Sequence, residues 1–259
     1  MTTGTRLGAA VVAAGAAGWA VHRLARRSGV TAAETAMALP GDELVPRPIW
    51  ESTRGLTLNA QPEAVWPWIV QMGYPTHRAG WYTPHWLDEL MWGSRPHSAD
   101  RIVPELQDLR PGDRVPDSDD WSVFYVVDQV APGSHLVLHS TSHNVGPIET
   151  VDFSWAFVLL PALREAGALG VGAGEPGATR LLVRARVAYT PVWLYPLVEA
   201  VIGLGDWVNV SVMLRGIRAR AMTSAAAWTP GPPAQETLAP DASSPPDAPA
   251  PDAGSPTDA

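Results

Sequence analysis

One stretch constrains this chain more than any other: Thr53 to Gly73, TRGLTLNAQPEAVWPWIVQMG. Leu56 and Leu58 alternate with Thr57 and Asn59, the period of a strand with one buried face. Asn59 stands where a helix N-cap is expected. Pro62 and Glu63 follow, where a first turn favours a fixed φ and a negative charge. Val65, Trp66, Ile69, Val70 and Met72 recur at roughly helical spacing and define one apolar face, and Gly73 ends it. Pro67 either falls early enough to be tolerated or bends the first turn.

Downstream, alternation and turn residues predict strands over 113–116, 121–130, 135–140, 151–160 and 179–190. Asp117–Asp120, Pro132-Gly133 and the glycine-rich 166–178 supply the turns. Short links between successive strands imply an antiparallel meander. Before it, residues 84–91 read as a short helix with Trp86, Leu87 and Leu90 on one side. After it, residues 194–222 read as one long helix. Its face is Leu197, Val201, Leu204, Val208 and Val212, interrupted by Glu199, Asp206 and Asn209, with Arg215, Arg218 and Arg220 near its C-terminal end. Pro196, Glu199 and Asp206 argue for a core helix over a membrane span. Upstream, Thr31 to Glu34 fits a capping box that opens a helix to about Ala38. Pro40-Gly41 ends that helix, and Pro46 and Pro48 extend the connector.

The two ends differ sharply in charge. Residues 1–30 carry four arginines and no acid, and residues 7–21 are an apolar run of mostly Ala and Gly. That run is short for a span of about 20 residues. Arg23, Arg26 and Arg27 follow it, an order opposite to a cleaved signal. If the run inserts, they hold the folded part in the cytoplasm. The expectation is an apolar helix over 1–30, either an uncleaved anchor at the inner face of the membrane or a helix packed on the surface. Residues 229–259 are Pro, Ala, Asp, Ser and Thr without aromatics, and are expected to be disordered. The layout is therefore 1–30, a connector over 31–52, a folded domain over 53–225, and a tail.

Composition excludes several chemistries. The chain has no cysteine, so no disulfide, thiolate metal site or Cys nucleophile. All 18 basic residues are arginine, which removes Schiff-base lysines and the P-loop lysine. All-Arg usage with abundant Ala, Pro and Gly fits the coding bias of a GC-rich bacterium. A net charge of −8 offers no footprint for nucleic acid. Twelve tryptophans against three phenylalanines mean that aromatic burial here brings many indole N–H groups needing partners.

The QMG-ended helix, the phrase LPGDELV at 39–45, GWY at 80–82, HSADRIVPELQDL at 97–109 with Gly112-Asp113, and MLRGIRARA at 213–221 resemble the SRPBCC superfamily. This is the START-like group of lipid-transfer domains, polyketide cyclases and pollen-allergen-type carriers. The resemblance covers about 39–222, and its branch is usually described only as bacterial SRPBCC family proteins. It implies an α+β helix-grip fold: an antiparallel sheet wrapped around a long C-terminal helix, with a cavity between them. Val208 to Val212 is more apolar than that pattern usually is.

The candidate ligand-binding residues are Trp81, Tyr82, His85, Trp86, His97, Asp100 and Arg101, with Asp88 nearby. Aromatic rings and few polar groups suit an apolar ligand oriented by one or two hydrogen bonds. His97 and Asp100, with Tyr82, are the acid–base candidates, as in cyclase relatives. Otherwise Asp100 and Arg101 only tie down a loop. His139 and His143 lie about 13 Å apart if extended, too far to share one metal ion. Asp117, Asp119 and Asp120 lack a calcium-loop frame. Gly170, Gly172 and Gly174 miss dinucleotide spacing, and no nucleophile elbow or zinc motif occurs. No metal or cofactor is expected. The expected function is binding of a hydrophobic small molecule, lipid- or polyketide-like. The alternatives are a cyclase or dehydratase, or an interaction module using the Pro-rich tail.

Overall fold

The computed structural model describes residues 26–93, 96–144, 146–162, 177–199 and 203–227. The apolar run at 7–21, Gly170, Gly172 and Gly174, and the tail at 229–259 lie outside them. The elements are α1 (Ala32–Ala36), β1 (Trp50–Leu58), α2 (Pro62–Val70), α3 (His85–Trp92), β2 (Arg114–Pro116), β3 (Phe124–Ala131), β4 (His135–Ser140), β5 (Thr150–Pro161), β6 (Thr179–Thr190), α4 (Tyr195–Val198) and α5 (Leu204–Ala227). The strands form one antiparallel sheet in the order β1-β6-β5-β4-β3-β2. With α5 packed on one face, this is an α+β arrangement of the helix-grip kind.

Strand parity decides what each face carries. On the inner face Trp50, Arg54, Leu56 and Leu58 of β1 pair with Val187, Val183, Leu181 and Thr179 of β6, and Phe153, Trp155 and Phe157 continue the layer on β5. Val210, Met213, Leu214, Ile217 and Ala221 of α5 close over this layer together with Val65, Trp68 and Ile69 of α2. Gly216 makes the approach possible, because a Cβ there would collide with the Tyr82 carbonyl.

The outer face is covered too, by residues 28–46. Leu39, Val30 and Leu44 pack on Val137, Ala156, Val158 and Leu182. Arg184 fixes this strap from below: Nε donates to Thr53 Oγ1, and the two terminal nitrogens reach Asp42 and the carbonyls of Met37, Glu34 and Thr35. Arg180 pairs with Glu34 at 2.7 Å. The Thr31–Glu34 capping box is present with both of its bonds. The LPGDELV phrase therefore belongs to the fold, since its Asp42 binds Arg184 and Arg186.

Three local expectations change. The N-cap of α2 is Gln61 rather than Asn59, with Pro62 at the first helical position and Val70 its last. On α3 Leu87 and Asp88 are buried, but Trp86 and Leu90 point outward, because the described part of the helix turns its Leu87–Asp88 side to the protein. The C-terminal helix is described as α4, with Pro196 in its opening, and α5, with Gly203 just before it packed against Glu199 and the Trp50 indole; residues 200–202 between them lie outside the described residues. The buried stripe of α5 is 210, 213, 214, 217 and 221. Val208 and Val212 sit beside it, and Asp206, four before Val210, faces inward. Among the described residues no helix is long and apolar enough to cross a membrane.

Candidate functional site

The inner face gathers aromatic rings at one place. Trp81, from the loop after α2, lies 5.3 Å from Trp155 and 6.0 Å from Tyr125, ring centre to ring centre, and Tyr125 lies 5.6 Å from Trp155. Phe153 and Phe157 flank Trp155 on the same face of β5, as period-two alternation requires. The Nε1 atoms of Trp81 and Trp155 are buried and have no hydrogen-bond partner among the described residues. The same holds for Trp50, Trp68 and the Tyr189 hydroxyl. Leaving such a donor unmatched costs about 1–3 kcal/mol, so this face carries several donors that an acceptor would stabilise.

Two charged groups cross the same layer. Arg54 is 1% exposed, and its Nη1 lies 2.5 Å from Asp206 Oδ2 and donates to Ser52 Oγ. Burial pushes the Asp206 carboxyl up, against the charge and hydrogen bond of Arg54. Burial also pushes the Tyr125 phenol well up, and the negative charges of Asp117 and Asp206 add to it. His143 closes the far side with its ring 4.4 Å from Tyr125. Its Nδ1 is 2.6 Å from Ser140 Oγ and its Nε2 is 3.3 Å from Asp117 Oδ2.

The residues expected to bind ligand fall into two groups. Trp81 and Tyr82 are buried, whereas His85, Trp86, His97, Asp100 and Arg101 are exposed. Tyr82 donates its hydroxyl to the Trp68 carbonyl at 2.8 Å and lies under the Arg220 guanidinium. It also holds a left-handed φ of 58°, supported by the Ser98 hydroxyl accepting its N–H. The His85 and His97 rings lie 4.3 Å apart at the surface. Asp88 accepts the Thr83 hydroxyl. The 97–109 loop is held by Gln71, bonded to the Arg101 carbonyl and the Val103 N–H, and by Arg220, which donates to the Ala99 carbonyl. His139 bonds Asp152 at 2.6 Å, apart from His143.

Tyr125, Trp155, Arg54 and Asp206 were not singled out from sequence as site residues. Arg54 did leave a signal, because it shares the parity of Leu56 and Leu58, where a charge is out of place. Asp206 left a similar one at helical spacing from Val210.

No family model matches the chain, and no curated protein matches it. Among solved structures it is similar to protein MLL2253 from Mesorhizobium loti, at 15% identity over 68% of this chain and 98% of that one, TM-score 0.37. It is also similar to CalU16 from Micromonospora echinospora, at 15% over 68% and 86%, TM-score 0.30. A third is DynU16, a protein of the dynemicin biosynthetic locus, at 15% over 68% and 48%, TM-score 0.33. These overlaps are too loose to carry an argument about this chain.

Proposed function

We propose that the protein binds a hydrophobic small molecule, lipid- or polyketide-like, between the inner face of the sheet and α5. One observation carries the reading: the Trp81 and Trp155 rings lie 5.3 Å apart, centre to centre, and both indole N–H groups are buried with no acceptor among the described residues. A ligand carbonyl or hydroxyl oxygen set among the rings of Tyr125, Phe153 and Phe157 supplies that acceptor, while its apolar body replaces water by area burial. Native mass spectrometry of the protein from its own host should find a co-purifying apolar molecule. Its absence, together with no binding of apolar fluorescent probes, would sink the proposal. Residues 7–21 would tether this binding domain at the cytoplasmic face of the membrane.

A second reading, acid–base catalysis of the cyclase or dehydratase kind, is favoured by the Arg54–Asp206 pair. A carboxyl raised by burial beside a buried guanidinium suits proton transfer to a bound ligand. His97 and Asp100 are at the surface and the Tyr82 hydroxyl is engaged, so this reading rests on Asp206 and Tyr125. Turnover lost in Asp206→Asn with binding retained distinguishes it from a carrier.

A further inference from the structure

We infer that the end of the molecule bearing Val192 and Trp193 docks on the surface of a lipid bilayer, with the Trp193 indole in the interface. After β6 the chain makes a 3-10 turn, Val192–Leu194, and runs directly into α4. Leu194 anchors that turn in a satellite core with Tyr189 and Val198, against which Ile49 and Ile148 pack. With Leu194 held inward, its two predecessors are turned out: Val192 is 56% exposed and Trp193 is 74% exposed. A large indole displayed on an anchored turn has no role in the core beneath it, and amphipathic rings of this kind favour the headgroup level of a membrane.

What identifies the occupant is where the rest of the chain arrives. Arg26 donates to the Tyr195 hydroxyl at 3.4 Å, pairs with Glu199 and lies over the Trp50 ring. Arg26, the first described residue, therefore lies beside the Val192–Leu194 turn. The sequence before it holds the apolar run 7–21, and residues 1–30 carry Arg6, Arg23, Arg26 and Arg27 without an acid. An apolar run flanked by Arg6, Arg23 and Arg27, in the sequence before a residue that lies beside an outward tryptophan, matches a bilayer with anionic headgroups. This inference does not depend on what the interior binds.

The absence of native cysteine makes the test direct. Trp193→Cys in the full chain, labelled with an environment-sensitive nitrobenzoxadiazole dye, is mixed with vesicles of phosphatidylcholine and phosphatidylglycerol. Asp128→Cys, exposed on β3, is labelled as the control. The expected result is a blue shift and brightening at position 193 only. Trp193→Ser should also lower vesicle partitioning by about tenfold, the factor that burying one large aromatic surface supplies. Three results would overturn the inference. The first is no vesicle binding by the full chain. The second is binding with a dye at 193 that still reports water. The third is a dye already shielded without lipid, which would assign the turn to a contact with another copy or with the N-terminal segment itself.

Discussion

On the outer face of the sheet Arg184 is buried and each of its five N–H groups meets an oxygen of the strap or of β1. On the inner face the indoles of Trp81 and Trp155 are buried almost as deeply, and their donors meet nothing among the described residues. Both faces exclude water, so both make an unmatched donor costly. The difference is that Arg184 is matched by its own chain, whereas the two inner-face indole donors meet no acceptor among the described residues; on the proposed reading a ligand supplies those acceptors.

The largest expected effect is on the completed side. Arg184→Ala strips the strap of its central donor and takes from the carbonyls of Met37, Glu34 and Thr35 the bonds it makes, which should cost about 3 kcal/mol, read as a lowered urea midpoint. Binding of an apolar probe by the molecules still folded should be unchanged. A loss of affinity in step with stability would erase the distinction between the faces. Next, Trp81→Ala should weaken probe binding by about 2–4 kcal/mol, and undiminished binding would remove the inner face as the site.

Trp155→Phe sharpens the comparison at smaller magnitude. It keeps most of the ring and removes the donor. It should weaken an oxygen-bearing ligand by about 1 kcal/mol while leaving stability equal or slightly raised, because an unmatched polar group is gone. Marked destabilisation would mean that the N–H already has a partner. Acid tests the strap from its other end. Burial alone would raise the Glu34 carboxyl, but hydrogen bonds and charge from Arg180 and Thr31 hold it below 4.5. Its contribution is therefore fully present above pH 4.5 and is lost as pH falls through the depressed folded value. Faster amide exchange over residues 31–42 below that pH, ahead of β5, is the expected result. Smallest of all, His97→Ala and Asp100→Asn, both exposed, should change stability and binding by no more than about 0.5 kcal/mol.

Much of the architecture was legible because it follows from local periodicity. The strands at 135–140 and 179–190 coincide with those read from alternation, and the capping box at Thr31 has the two bonds its residue types imply. What sequence could not show is which face of an element finds a partner. Trp86 reads as buried by spacing, yet it is exposed while its neighbours Leu87 and Asp88 are buried. Asp206 reads as a break in an apolar stripe, yet the stripe itself is rotated so that the acid meets Arg54 across the layer. The strap was invisible for the same reason, since nothing near Asp42 in sequence announces an arginine 142 positions away. Pairings of that kind are tertiary, and propensity is silent about them.

The sheet order has a consequence for how the chain assembles. β1 has a single neighbour in the sheet, β6, and the strap that contains α1 is held by Arg180 and Arg184 of that same late strand. During synthesis the first 58 residues emerge with the backbone of β1 unpaired and the strap without its anchors, and they stay so until residue 190 is available. The meander from β2 to β5 can pair with its own neighbours meanwhile, at little cost in loop closure. Completion then depends on one long-range event that delivers β1, the strap and α5 together, which makes the rate of folding answer to the last third of the chain.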